Sequence, residues 1–154
     1  MGNAWFVDEV QYVSNANEEI EAIHGLDPLQ KAVVDKKFEA SVRPMPLDST
    51  ATIELLEYQP NYLKYQVNSE KGGTVVFSEI YYPGWQSTID GEETPHGRAN
   101  YILRAMNVPA GKHVVEFKFD PKSLHTTETI AFIALGLLAL LAVFVAYKGI
   151  KNKM

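Results

Sequence analysis

The sequence predicts an all-β protein, an antiparallel β-sandwich with one short helix, followed by a single C-terminal transmembrane α-helix. Two observations predict the sandwich. Apolar and polar residues alternate with the period of two that half-buried strands show, and turn signals separate these segments at short intervals. A third observation predicts the final helix, because residues 129–147 form an uninterrupted apolar run. We expect residues 1–126 to form the sandwich domain.

The first elements are a strand over residues 5–13, a short helix over 18–24 and a strand over 31–35. The Asn15-Ala-Asn17 segment can cap the helix, because an asparagine side chain accepts a hydrogen bond from a free backbone N–H of the first turn. Gly25 follows the predicted helix end. A proline-containing stretch over residues 42–48 is predicted to be an irregular connection.

The second half of the domain is more regular. Alternation predicts strands over residues 51–58, 62–68, 74–82, 85–89, 101–108 and 113–120. Turn signals separate them, and Asp90-Gly91 is the strongest because an Asp-Gly pair favours the type I′ turn of a two-residue hairpin. Strands of this kind, each with one apolar face, pack best as two facing sheets.

The apolar run is long enough to cross a membrane. Roughly 19 helical residues at 1.5 Å each reach about 28 Å, close to the hydrocarbon thickness of a bilayer. No charge stands between Glu128 and Lys148, and a buried core helix, the alternative, seldom runs this long without a polar residue. We assign residues 127–148 to the span and 149–154 to a basic cytoplasmic tail, which places the sandwich outside the cytoplasm.

Composition excludes several classes of protein. The chain has no cysteine, so it has no disulfide framework, thiol catalysis or cysteine-based zinc site. A net charge of -5 argues against a nucleic-acid surface. The N-terminus has no basic and apolar signal segment before Asp8 and Glu9. We therefore expect the last extracytoplasmic domain and last helix of a polytopic membrane protein.

Signals for catalysis are weak. The four histidines lack a metal-ligand spacing, and they are His24, His96, His113 and His125. The sequence predicts no catalytic residue, no metal site and no cofactor. Asp90 and the pair Glu92-Glu93 crowd one hairpin, as the carboxylates of a glycosidase would. However, an Asp-Gly turn needs that aspartate, and adjacent glutamates in a strand point to opposite faces.

Three residues could contact a ligand or an acceptor: Tyr82, His96 and Arg98. Tyr82 lies beside the Pro83-Gly84 strand break, and the other two lie in a polar connection that could reach a lipid phosphate or an acidic polymer. A solvated loop is the alternative for that connection. Trp85 could join a sugar-stacking platform, although its position after the break favours a place in the core.

Two charges interrupt apolar rows on adjacent predicted strands. Glu79 shares a face with Phe77 and Tyr81, and Arg104 shares one with Met106. An unpaired charge on an inward face costs several kcal/mol. We therefore predict that Glu79 and Arg104 form a structural ion pair between neighbouring strands. The alternative is that these faces are exposed, or turned toward another part of a larger protein.

Several motifs together resemble the C-terminal region of the bacterial YfhO-like membrane protein family. They are Val76-Phe-Ser-Glu-Ile-Tyr-Tyr-Pro-Gly-Trp85, Ile89-Asp-Gly91, Arg98-Ala-Asn-Tyr101, Leu103-Arg-Ala105 and Val108-Pro-Ala-Gly-Lys-His113. Gly2-Asn-Ala-Trp-Phe-Val7 and Phe117-Lys-Phe-Asp-Pro121 also fit the pattern. Each motif is weak alone, but their order and the terminal apolar helix are specific.

The resemblance implies a large polytopic protein similar to GT-C glycosyltransferases, which use lipid-linked sugars to decorate cell-envelope polymers. The catalytic acids of such enzymes are expected in early extracytoplasmic loops, which this chain does not contain. The chain would then be a non-catalytic accessory domain, whose partners are the bilayer, the rest of the parent protein and an envelope polysaccharide or lipid-linked sugar. The alternative is a free-standing single-pass envelope protein whose sandwich binds carbohydrate or a protein.

Overall fold

The computed structural model describes residues 2–151, apart from the side chains of residues 122–125, 146 and 149–151. The chain divides into two compact units, Met1–Phe119 and Asp120–Met154. The first unit contains two sheets and one short α-helix, and the second contains a long apolar helix. The predicted fold class is confirmed.

The elements follow one another closely along the chain. The strands are β1 (Ala4–Val7), β2 (Glu9–Val13), β3 (Lys31–Asp35), β4 (Thr52–Gln59), β5 (Tyr62–Ser69), β6 (Gly73–Ile80), β7 (Trp85–Ile89), β8 (Glu92–Glu93), β9 (Gly97–Ala99), β10 (Leu103–Val108) and β11 (Gly111–Phe119). The α-helices are α1 (Ala16–Ile23) and α2 (Lys122–Lys151), and Lys36–Phe38 form a turn of 3-10 helix. The Asn15 side chain caps α1 by accepting from Glu18 N at 3.0 Å.

The strands form a six-stranded sheet in the order β1-β6-β10-β9-β3-β2 and a five-stranded sheet in the order β4-β5-β11-β7-β8. Every pair is antiparallel except β2 with β3. That parallel pair was not predicted. It arises because the segment containing α1 carries the chain back to the end of the sheet at which β2 began, as a crossover helix does.

The predicted first strand is broken at Asp8, and the break shapes the six-stranded sheet. β1 and β2 lie at opposite edges of this sheet, yet only Asp8 separates them in sequence. Because consecutive Cα atoms are about 3.8 Å apart, the sheet must curl until its edges meet. The backbone N–H groups of Asp8 and Glu9 both donate to the Gln30 carbonyl, at 3.1 and 3.0 Å.

The curl creates two cores, one on each face of the six-stranded sheet. The core between the sheets contains large side chains, among them Leu63, Tyr65, Phe77, Met106 and Phe117. The core inside the curl is lined by smaller ones, among them Val7, Ala32, Val34, Val76, Ala99 and Ala105, together with Trp5. Strand β6 is therefore buried on both faces over much of its length.

Two short strands, β8 and β9, were not predicted, and β10 begins later than expected. Asn100 and Tyr101 have positive φ angles of 49° and 72°, a left-handed conformation that a strand cannot continue through. The Asn100 side chain instead accepts a hydrogen bond from Val33 N at 2.8 Å. The Asp90-Gly91 turn is as predicted, with φ of 53° and 86°.

Helix α2 contains the segment Thr126–Val145, which is long and apolar enough to cross a membrane. None of that segment is buried inside the protein. A soluble helix that is apolar all round would be covered by protein. The exposed apolar surface of α2 therefore suits a lipid environment.

Candidate functional site

The three predicted contact residues do not form one site. Tyr82 lies in the connection between β6 and β7 and is 60% exposed, with its ring 6.2 Å from that of Phe119. His96 directly precedes β9, and Arg98 lies within it. The structure places His96 and Arg98 in different surroundings, because His96 contacts Ser87 whereas Arg98 contacts Glu19.

His96 is held by Ser87 and by aromatic rings. Its Nδ1 lies 2.7 Å from Ser87 Oγ, and its ring packs edge-on against Tyr81 and Phe117, with centroids 5.5 and 5.3 Å away. Burial, reinforced by the positive charge of Arg104, lowers the pKa of His96 to about 4. The imidazole is therefore neutral at neutral pH, and it is poorly suited to hold an anion.

His96 also lines a surface cleft of ≈ 400 Å³, within the usual size range of ligand pockets. Its lining combines two aromatic residues with hydrogen-bonding side chains, and comprises Tyr81, Trp85, Gln86, Ser87, Glu93, Thr94, Pro95 and His96. Trp85 is partly buried and packs against the core between the sheets, and it also lines the cleft, so its role in a sugar-stacking platform stays a prediction. Glu93 is the one acidic residue in this lining.

Arg98 forms an ion pair with Glu19. Its Nη2 lies 2.5 Å from Glu19 Oε2, and the other carboxylate oxygen accepts from Tyr101 N at 2.8 Å. Glu19 is fully buried, whereas the Arg98 side chain is 21% exposed. This contact joins α1 to β9, and it leaves Arg98 little capacity to bind a lipid phosphate.

Glu19 was not among the residues predicted from the sequence. A signal was available, because Ala16, Glu19 and Ile23 lie on one face of a helix. A carboxylate on the inward face of an amphipathic helix requires a cationic partner. The sequence does not reveal that the partner is Arg98, which lies 79 residues away.

Arg104 is buried in the domain, with 2% of it exposed. Its guanidinium carbon lies 3.9 Å from the centroid of the Trp85 ring, and its Nε donates to the Ile80 carbonyl at 3.0 Å. Burial lowers the pKa of Arg104 to about 10, and the negative charge of Glu79 opposes that lowering. Arg104 therefore stays charged at neutral pH.

Glu79 and Arg104 lie on β6 and β10, which are neighbouring strands of one sheet. Among the side chains that the structure describes, however, the ion pairs do not include these two. Glu79 acts on Arg104 through its charge, while the Trp85 ring and the Ile80 carbonyl make the close contacts. A direct Glu79–Arg104 contact stays a prediction.

In the hairpin that contains Asp90, Glu92 and Glu93, the Asp90 side chain makes structural contacts. Asp90 Oδ1 accepts from Val114 N at 2.8 Å, and Oδ2 lies 2.6 Å from His113 Nδ1. The hydrogen bond from Val114 lowers the pKa of Asp90, and the bond to Asp90 raises that of His113. Both residues thus fix the turn to β11. Within the described residues, His, Asp and Glu do not gather into a group of three that could hold a metal ion.

Comparison with known proteins identifies the family. No curated protein and no solved structure matches the chain. The family model described as bacterial membrane protein YfhO matches residues 44–131, a segment that runs from the irregular connection before β4 into the apolar helix. This segment covers more than half of the 154 residues. The chain therefore belongs to the YfhO family of bacterial membrane proteins.

Proposed function

We propose that the chain is a non-catalytic, extracytoplasmic accessory domain and the last membrane helix of a polytopic YfhO protein. The parent protein is a glycosyltransferase that acts on cell-envelope polymers. Residues 1–126 form the extracytoplasmic domain, residues 127–148 the span and residues 149–154 a cytoplasmic tail. The tail extends beyond the described residues, so its placement rests on its lysines.

One observation carries the non-catalytic part of this proposal. The polar side chains best suited to chemistry are already engaged in contacts that hold the fold together. Asp90 binds the backbone of β11, His113 binds Asp90, and Arg98 binds the buried Glu19. Both ring nitrogens of His113 are engaged, because Nε2 lies 3.1 Å from the Ala110 carbonyl, so neither nitrogen is free to accept a proton from a substrate. The domain is built to be rigid and to support the transferase body.

The membrane orientation can be tested by cysteine labelling, because the chain has no native cysteine. Lys71→Cys lies on an exposed turn of the domain, and Lys153→Cys lies in the tail. In intact cells, an impermeant maleimide should label Lys71→Cys and should label Lys153→Cys only after permeabilisation. The opposite pattern would show that the sandwich lies in the cytoplasm, and the proposed role would fail.

The cleft beside His96 is the part of the domain best suited to an acceptor sugar. Tyr81 and Trp85 contribute aromatic surface there, and Glu93 contributes an exposed carboxylate that can accept hydrogen bonds from hydroxyl groups. Glu92 is also exposed but does not line the cleft, so it provides a matched control.

In the parent protein, Glu93→Ala should raise the acceptor concentration needed for half-maximal sugar transfer, whereas Glu92→Ala should not. The maximal rate should stay unchanged in both variants, because neither residue takes part in the chemistry. Equal effects of the two variants would remove the cleft from acceptor binding. Loss of transfer in Asp90→Asn at normal protein level would place chemistry in this domain and contradict the proposal.

A further inference from the structure

The two ends of the sandwich differ sharply in composition. We call residues 58–62, 80–85 and 100–103, together with Phe119, the exit end, because the chain leaves the domain there toward α2. We call residues 69–73, 89–93 and 108–112, which contain the turns at the opposite ends of the strands, the far end.

Backbone and ring contacts bring the segments of the exit end together. Phe119 pairs with Trp85 in the five-stranded sheet, its N–H donates to the Asn61 carbonyl at 2.9 Å, and its ring contacts that of Tyr82. In the other sheet, Tyr81 N donates to the Ile102 carbonyl at 2.7 Å. The exit end is therefore one continuous region of the surface.

The segments of the exit end contain no charged residue and are rich in tyrosine, and within the described residues the ion pair of Glu19 and Arg98 contacts them only at Tyr101. Five of the chain's eight tyrosines lie there, and they are Tyr58, Tyr62, Tyr81, Tyr82 and Tyr101. Its most exposed large side chains are Ile80, Tyr58, Tyr82 and Ile102, at 64%, 62%, 60% and 49%. The far end has the opposite character, with exposed charges at Glu70, Lys71, Asp90, Glu92, Glu93 and Lys112.

The tether to the span is short. From Phe119, three residues lead to Lys122, where α2 begins, and four helical residues then reach Thr126 at the start of the apolar segment. At about 3.4 Å per extended residue and 1.5 Å per helical residue, this path covers at most roughly 16 Å. Because the apolar segment suits the hydrocarbon layer, this path length limits how far Phe119 can lie from the lipid interface.

We propose that the exit end rests in the lipid interface, with Tyr58, Ile80, Tyr82 and Ile102 among the headgroups and upper acyl chains. Tyrosine suits this layer because its ring is apolar and its hydroxyl can stay hydrated. A charge-free surface avoids the cost of moving an ion into that layer. Leu47, which is exposed near the far end, is a single residue without such neighbours and does not alter the contrast.

Nitroxide labels can test this inference on the 154-residue chain in lipid nanodiscs, where no other protein is present. Gln59→Cys is exposed at the exit end and leaves the tyrosines and isoleucines in place. A label there should collide more with oxygen than with a water-soluble nickel complex, relative to free label in water. A label at Lys71→Cys or Glu92→Cys on the far end should show the aqueous ratio.

One further pair of substitutions and two contrary results would decide the matter. In the Gln59→Cys background, Tyr82→Asp with Ile102→Asp should restore the aqueous ratio while the circular dichroism spectrum of the strands stays unchanged. An aqueous ratio at Gln59→Cys in the unmodified domain would overturn the proposal. So would a label that is lipid-exposed in nanodiscs but shielded from both reagents in the parent protein, because the exit end would then be covered by protein. Neither result depends on glycosyltransferase activity.

Discussion

Replacing Arg104 tests whether this buried cation stabilises the domain by its charge or by its bulk. Arg104 is 2% exposed, and its pKa falls from 12.5 to about 10. At about 1.4 kcal/mol per unit, holding the charged form costs the folded state roughly 3 kcal/mol. Since the folded pKa of this base is depressed, the cost is present at neutral pH and disappears only as pH rises above about 10.

Arg104→Met removes that cost but also removes two favourable contacts. The hydrogen bond to the Ile80 carbonyl is worth about 1–2 kcal/mol, and the cation–π contact with Trp85, being desolvated, is worth about 2 kcal/mol. These terms nearly cancel, so Arg104→Met should change the free energy of unfolding by less than about 1.5 kcal/mol. Arg104→Ala loses the same electrostatic terms and also leaves a cavity, which should add about 2–4 kcal/mol of destabilisation.

The assay is a urea titration of each variant in nanodiscs, followed by the circular dichroism signal of the strands. The measured quantity is the difference in the free energy of unfolding between the methionine and alanine variants. If Arg104→Met destabilises the domain as much as Arg104→Ala does, then the guanidinium contacts outweigh desolvation and our reasoning is wrong. If both variants are neutral, the site is hydrated in solution and the arginine is not packed as the structure has it.

Three other substitutions test His96 and the ion pair of Arg98 with Glu19. Burial lowers the pKa of His96 from 6.5 to about 4, so its neutral form favours folding above pH 6.5 and this advantage is lost as pH falls toward 4. His96→Gln should therefore remove up to about 3 kcal/mol of the stability change across that window in a pH series of urea titrations, and an unaltered pH profile would contradict this. Arg98→Ala leaves the fully buried Glu19 unpaired and should cost about 3–5 kcal/mol. Glu19→Gln should lower the free energy of unfolding by at least about 1 kcal/mol less than Arg98→Ala does, because Arg98 is 21% exposed and can reach water. The reverse order of the two variants in thermal unfolding would show that Glu19 is accessible to water.

Local sequence patterns predicted many of the elements. Residues 62–68 alternate strictly, and in the structure that segment is β5, with every second side chain buried. Asp90-Gly91 adopts the left-handed conformation that its type I′ turn needs. These features were predictable because they depend only on residues that are close together in the sequence. The prediction of a strand over residues 101–108 was less accurate, because the side chain of Asn100 contacts β3, which is distant in sequence.

The candidate site was less predictable than the elements. Alternation placed Arg104 on an inward face, but the groups in contact with it lie on β6 and β7. In the sequence, His96 and Arg98 belong to one polar connection. In the structure, His96 contacts Ser87 and Arg98 contacts Glu19. Which partner each side chain meets depends on how the sheets close, and a linear pattern does not contain that information.

The sequence by itself determined the membrane helix, the strand-rich domain and the family, because apolar length, alternation and motif order are properties of the linear chain. The tertiary structure alone decided the curl at Asp8, the burial of Glu19 and the charge-free exit end. Each of these depends on contacts between segments far apart in sequence. Glu19 and Arg98, 79 residues apart, meet only because β9 pairs with β3 on the side of the curled sheet where α1 packs, and this closure buries the carboxylate away from water.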